Sequence, residues 1–100
     1  MDNLATKVTR IIPRNDGSAV KIVAQAYLGT GLRLSVGVDV FRRQSSAQNW
    51  VLCGDKPHPD WRKMSVDEYV KYGRPEKFQI ASHGEILSVA SAIGKPIIGK

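Results

Sequence analysis

Strict alternation of apolar and polar residues over Leu32 to Arg43 limits the folds that are open to this chain. The segment reads LRLSVGVDVFRR, so every second residue from Leu32 to Val40 is Leu or Val. Side chains of a β-strand point alternately to its two faces, so the pattern predicts a strand with one apolar and one polar face. The preceding segment, Ser18 to Leu28, alternates in the same way. Because Gly29-Thr30-Gly31 separates the two segments, they predict an antiparallel hairpin.

A three-residue loop at this turn would place Leu28 opposite Leu32. Ile22 would then lie opposite Val38, and Lys21 opposite Asp39. A slip of one residue would move the charged side chains to the apolar face, so we expect the hairpin to avoid it. The same register predicts the pairs Ala26–Leu34, Ala24–Val36, Val20–Val40, Tyr27–Arg33, Gln25–Ser35 and Ala19–Phe41.

Two further segments read as strands. Ala5 to Ile12 is rich in Thr, Val and Ile and ends at PRNDG, residues 13–17, whose Asn, Asp and Gly favour a tight turn. It therefore predicts a strand that forms a hairpin with Ser18 to Leu28. Asn49 to Cys53 is a shorter candidate strand, followed by a loop that contains two prolines.

The second half of the chain carries two helix start signals. Ser65 and Glu68 fit a capping box that would begin a helix from Val66 to about Tyr72, and Ser82 with Glu85 repeats it. The second helix would place Ile86, Val89, Ala90 and Ile93 on one face; a strand over Glu85 to Ala90 is the alternative. Between the two, Lys77 to Ala81 is predicted to be extended.

These elements predict one small α+β domain over residues 1–100. An antiparallel meander of three or four strands would be followed by two short helices in a two-layer sandwich. The second helix would lie over the apolar face of the hairpin, because an isolated hairpin cannot cover its own apolar side.

The chain is basic, with fifteen Lys and Arg against nine Asp and Glu and a formal charge of +6. Such an excess favours a polyanionic partner, which could be nucleic acid, an acidic protein surface or anionic lipid; the plain alternative is that it serves solubility. The basic residues form no continuous block, so the fold must assemble any basic patch. The longest uncharged run, Ile22 to Leu32, is far too short to span a membrane, and residues 1–3 lack the pattern of a secretory leader. We therefore expect a cytoplasmic protein without membrane contact.

The polar face of the hairpin is the best candidate binding site. It combines aromatic and basic side chains, a composition that sheets use to stack bases and neutralise phosphates of single-stranded nucleic acid. The predicted nucleic-acid-binding residues are Lys21, Tyr27, Arg33, Phe41, Arg42 and Arg43. The plain alternative is a solvated sheet face on which Asp39 neutralises Lys21 and another element covers Phe41.

A second hypothesis is an accessory or inhibitory protein that docks on another protein or forms a homodimer. Trp61 follows two prolines and is flanked by Arg62 and Lys63. An exposed Trp beside Arg is a favoured anchor in protein interfaces. Trp50, within an apolar run, is instead predicted to lie in the core.

Catalytic and metal sites are weakly indicated. Cys53, His58, His83 and Asp60 are permitted zinc ligands, but they lack the paired short spacings of structural zinc sites. A Cys53–His58 nucleophile pair or a His83–Glu85 acid and base would need a shaped pocket. We therefore predict a non-enzymatic binding module without metal, cofactor or small-molecule substrate, with Cys53 as a small buried residue at a strand end.

Overall fold

A four-stranded antiparallel sheet followed by short helices forms the part of the chain that the computed structural model describes, residues 6–28 and 34–94. This is the predicted small α+β fold. The strands lie in the sheet in chain order as β1 (Lys7–Pro13), β2 (Ala19–Leu28), β3 (Leu34–Arg43) and β4 (Val51–Leu52).

The hairpin between β1 and β2 forms where the sequence predicts it. The backbone N–H of Arg14 donates to the carbonyl of Ser18 at 2.8 Å, which closes the turn. Gly17 has φ of 90°, a conformation that favours glycine because it has no Cβ. The Asp16 side chain accepts from the backbone N–H of Ser18 at 2.9 Å. Local turn chemistry is therefore sufficient to account for this connection.

The register between β2 and β3 differs from the prediction by two residues. Leu28 pairs with Leu34, and Lys21 with Phe41, so five residues connect the strands where three were expected. The predicted pairs, Lys21–Asp39 among them, are wrong. A shift of two leaves every side chain on its face, so the alternation that identifies the strands does not distinguish the two registers.

The helices begin at the predicted capping boxes. A 3₁₀ turn at Trp61–Lys63 precedes α1 (Val66–Glu68), which continues into one π-helical turn, Tyr69–Gly73. The last helix, α3 (His83–Ala90), occupies the segment for which a strand was the alternative. In both boxes the Ser hydroxyl accepts from the backbone of the Glu, and the Glu carboxylate accepts from the backbone of the Ser.

One further helix, α2 (Glu76–Ile80), corrects the prediction that Lys77 to Ala81 is extended. Pro75 ends the preceding turn, and its carbonyl also accepts from the backbone N–H of Phe78 at 3.0 Å. A proline at a helix start is tolerated because the first backbone N–H groups of a helix have no partner within it. The N–H of Lys77 donates instead to the carbonyl of Gly54 at 3.1 Å, which anchors α2 behind β4.

The core lies between the apolar face of the sheet and the helices. The helix α3 contributes Val89, 2% exposed, which packs with strand residues as predicted. Cys53 is buried directly after β4, also as predicted. Trp50 is only half-buried and is not part of this cluster, so its predicted core position is wrong. The buried cluster consists of Val20, Ile22, Ala24, Val40, Cys53, Ala81 and Val89.

Candidate nucleic-acid interface

The sheet face opposite the core is open to solvent, and we refer to it as the open face. Ile11, Tyr27 and Leu52 lie on it, and they are 52%, 54% and 57% exposed. The buried residues that the helices supply belong to the core on the other face. By strand register, the open face carries Lys7, Thr9, Ile11, Pro13, Ala19, Lys21, Val23, Gln25, Tyr27, Ser35, Gly37, Asp39, Phe41, Arg43 and Leu52.

Four residues form a cluster of cations and aromatic rings at one end of the open face. The Lys21 Nζ lies 4.7 Å from the centre of the Phe41 ring and 5.1 Å from that of Trp50. The Arg43 Cζ lies 4.2 Å from the centre of the Trp50 ring. We refer to Lys21, Phe41, Arg43 and Trp50 as the cation–π cluster.

Strand pairing explains why these residues meet. Lys21 on β2 is directly opposite Phe41 on β3, and Phe41 is opposite Leu52 on β4. Arg43 and Trp50 each lie two residues beyond the Phe41–Leu52 pair on their own chain segments, so they reach the same face. Cross-strand neighbours on one face come within contact distance of each other.

The cluster holds its two cations close to the sheet surface. Each cation–π contact contributes about 0.5 to 1 kcal/mol at partly exposed sites. Lys21 takes part in two such contacts and Arg43 in one. These contacts restrict long side chains that would otherwise be mobile, while leaving their polar groups able to donate hydrogen bonds.

In the described part of the chain, no carboxylate forms an ion pair with the cations of the cluster. Asp39, expected opposite Lys21, lies opposite Val23 instead. Within residues 6–28 and 34–94, neither Lys21 nor Arg43 forms an ion pair. The alternative of a solvated face therefore lacks the predicted Lys21–Asp39 contact, while Phe41 is half-buried, with Lys21 over its ring.

Arg42 lies on the other side of the sheet. Its Nε donates to Glu76 Oε2 at 3.0 Å, and the other carboxylate oxygen of Glu76 accepts from the backbone N–H of Gly54 at 3.1 Å. Arg42 thus joins β3 to α2, and we leave it out of the candidate interface. Arg33 lies outside the described residues.

Tyr27 is on the open face but apart from the cation–π cluster. Its ring lies over Gly37, where an added Cβ would come within 3.3 Å of Tyr27 Cε1. Gly37 is two residues beyond Ser35, the cross-strand partner of Tyr27, so the ring leans diagonally across β3 toward the cluster. The absence of a side chain at Gly37 therefore lets an aromatic ring lie against the sheet.

The predicted partner-binding residues form a separate surface. Trp61 is 41% exposed, its ring centre is 6.1 Å from that of Tyr69, and the Arg62 Cζ lies 5.4 Å from the Trp61 ring. Lys63 is exposed on the same 3₁₀ turn. A groove of about 270 Å³ is lined by Trp61, Arg62, Met64, Ser65, Val66 and Tyr69.

Other contacts engage several of the cysteine, histidine and glutamate side chains that the sequence offers for catalysis or metal binding. Burial raises the pKa of the Cys53 thiol, and the nearby charge of Glu76 raises it further, whereas a nucleophilic thiol needs a lowered pKa. His58 Nδ1 accepts from the backbone N–H of Asp60 at 3.0 Å. Glu85, considered with His83 as an acid and base, is ion-paired to Arg14. Across the described ranges, no three His, Cys, Asp or Glu side chains are placed to hold a metal ion.

Trp50 is the one residue of the cation–π cluster that the sequence did not predict to lie on this face. Trp50 could have been placed on this face from its position two residues before Leu52, because side chains two residues apart on a strand point to the same face. The apolar neighbours of Trp50 instead suggested burial. Only the pairing of Leu52 with Phe41 shows which face that is.

Comparison with models of known protein families, with curated proteins and with solved structures gives no match. Within the described residues, no helix has both the length and the apolar character needed to cross a membrane.

Proposed function

We propose that this chain is a small non-enzymatic binding module that contacts single-stranded nucleic acid through its open face. The observation that carries the proposal is the cation–π cluster, whose four residues are half-buried on the open face. Single-stranded nucleic acid offers phosphates to Lys21 and Arg43 and base faces to aromatic rings, and known binding sheets use this combination.

The aromatic rings favour nucleic acid over other polyanions. An acidic protein surface would need the cations alone, whereas bases add stacking worth about 1 to 3 kcal/mol each. The planar guanidinium of Arg43 over Trp50 also offers a surface on which a base can stack. Stacking and phosphate contacts depend little on base identity, so the proposal includes weak sequence preference.

The salt dependence of the binding affinity should show how many phosphates the protein neutralises. The described open face carries the cations Lys7, Lys21 and Arg43. Three neutralised phosphates on a single strand would weaken binding about twentyfold as salt rises from about 50 to 200 mM. We would measure this by fluorescence anisotropy with a labelled oligothymidylate of about twelve nucleotides, a length within the range of single-strand sites.

The test variant reverses both charges of the cluster, Lys21→Glu with Arg43→Glu. Its matched control, Lys56→Glu with Lys71→Glu, makes the same change in net charge at two exposed positions outside the open face. We expect the cluster variant to lose at least tenfold in affinity and the control less than threefold, with both retaining the circular dichroism spectrum of the parent. Equal losses would show that net charge alone drives binding, and no binding by the parent at low salt would exclude the proposal.

The protein-interaction hypothesis is the competing proposal, and the exposed Trp61 beside an apolar groove supports it. It predicts that Trp61→Ala changes the oligomeric state, measured by sedimentation velocity, or weakens a partner complex that resists salt. The nucleic-acid proposal predicts that Trp61→Ala leaves both the sedimentation coefficient and oligothymidylate affinity unchanged.

A further inference from the structure

The Tyr27 ring forms a second aromatic surface on the open face, and its distance from the cation–π cluster sets a minimum length for the ligand. This inference rests on the proposed function. Tyr27 is 54% exposed and its ring lies over Gly37. Arg43 and Trp50 stack at the other end of the same strand pair. The open face therefore presents two stacking surfaces, one over Gly37 and one at the cation–π cluster.

The two surfaces are too far apart for one or two bases to bridge. Gly37 and Arg43 are six positions apart on β3, which corresponds to about 20 Å at the rise of a β-strand. Stacked nucleotides advance about 3.4 Å each along one strand, so about six nucleotides cover this distance.

Between Gly37 and Arg43, the one ring on the described open face is that of Phe41, and the Lys21 Nζ lies 4.7 Å from its centre. Lys21 therefore already covers that ring, and the other residues of the interval offer none. Gln25 lies opposite Gly37, and Val23 lies opposite Asp39, whose side chain is exposed. A strand crossing this interval would pass a carboxylate that repels phosphate. The favourable contacts are thus concentrated at the two ends.

We propose that the Tyr27 ring and the cation–π cluster are the two ends of one track along β2 and β3, and that the ligand is a single strand of at least about six nucleotides. A strand long enough to reach both ends binds the second surface intramolecularly, which raises its overall affinity. A shorter strand occupies one end only.

The experiment is a length series of labelled oligothymidylates from about three to twelve nucleotides, measured by anisotropy at low salt. For the parent we expect a step of at least fivefold in affinity between about four and eight nucleotides, from the added stacking. Tyr27→Leu removes the aromatic ring but keeps apolar bulk, and should abolish the step without changing the affinity of the shortest oligonucleotides.

Two further variants make the result specific. Tyr27→Phe keeps the ring and should restore the step. Tyr72→Leu removes another exposed tyrosine, 66% exposed and outside the open face, and should leave the step intact. A folded Tyr27→Leu protein is identified by the parent's circular dichroism spectrum. If it does not fold, Tyr27→Thr replaces it, because threonine suits a strand and has no ring, and it should also abolish the step.

The outcomes separate this inference from the function on which it rests. If the parent binds the longest oligonucleotide but shows no step, or if the folded leucine or threonine variant shows the same step as the parent, the track is wrong and the cluster alone is the site. If the parent binds no oligonucleotide, the proposed function fails and the track fails with it.

Discussion

Arg14 and Glu85 join the first hairpin to the last helix through two parallel hydrogen bonds, Nη1 to Oε2 at 2.8 Å and Nη2 to Oε1 at 2.9 Å. The Arg14 Nη2 also donates to the carbonyl of Ile80 at 3.0 Å, at the end of α2. One arginine thus binds the turn after β1 to two helices. Glu85 also accepts from the backbone N–H of Ser82, so the ion pair and the helix cap share a carboxylate.

Glu85→Gln should lower the free energy of unfolding by about 1 to 2 kcal/mol at neutral pH. Glutamine can retain the capping box but not the ion pair, and the partly exposed Arg14–Glu85 pair lies between typical surface and buried pairs. Glu68→Gln is the matched control, because Glu68 forms the same box with Ser65 but no ion pair in the described residues. We expect it to cost under about 0.5 kcal/mol in urea denaturation. Equal costs would mean that the ion pair contributes nothing.

Stability should fall in acid through the same carboxylate. Hydrogen bonding from Arg14 lowers the pKa of Glu85 from an ordinary 4.5 to about 2, and bonding from Ser82 contributes to the shift. Between these values the unfolded chain binds the proton and the folded chain does not. The stabilisation is therefore fully present above the unfolded pKa and is lost as pH falls toward 2. The difference in unfolding free energy between parent and Glu85→Gln should shrink over this range; a constant difference would contradict the assignment.

Gly73→Ala should destabilise the protein by about 1 to 3 kcal/mol, the usual cost of overpacking. An added Cβ would lie 2.8 Å from both Met64 Sδ and Tyr69 Cδ1, and Gly73 is buried. Gly84→Ala is the control, because nothing lies within 4 Å of an added Cβ at this helical position. There the greater helix propensity of alanine should stabilise by up to about 1 kcal/mol. Thermal unfolding of both variants checks the opposite signs, and a stabilised Gly73→Ala would contradict the packing around Tyr69.

Asp39→Asn should strengthen binding to oligothymidylate if the open face binds nucleic acid. Among the described side chains of that face, Asp39 alone is acidic. Removing one charge about 7 Å from a phosphate is worth about 0.6 kcal/mol in water, or about threefold in affinity at low salt. Asp55→Asn, at an exposed position in the loop after β4, makes the same charge change and should have a smaller effect. If the parent binds oligothymidylate and Asp39→Asn binds it with the same affinity, the nucleic acid does not bind at the open face.

Several parts of the site follow from local signals. Alternation places Lys21, Tyr27, Phe41 and Arg43 on one face, and the same alternation places Arg42 on the other. The capping boxes at Ser65 and Ser82 predict the helix starts because their hydrogen bonds span only three residues. Such features depend on neighbours close in the chain, so the sequence alone reveals them.

Other parts depend on contacts between distant segments. The cross-strand partner of Lys21 is Phe41, where the sequence predicted Asp39. A two-residue shift of register keeps every side chain on its face, so the alternation of residues could not distinguish the two partners. The helix α2 depends on Gly54 and Arg42, which bind its first turn through Lys77 and Glu76. No local pattern near Pro75 contains that information.

The strands of the main hairpin, the faces of their side chains and the starts of two helices could be predicted from the sequence, because backbone geometry and short-range hydrogen bonds decide them. The register, the helix at Glu76–Ile80 and the contact of Lys21 with Trp50 could not be predicted in this way and are seen only in the fold. Those features arise from packing and pairing across the chain. The free energy of such packing and pairing depends on which surfaces come into contact. The spacing of residues along one segment does not specify which surfaces those are.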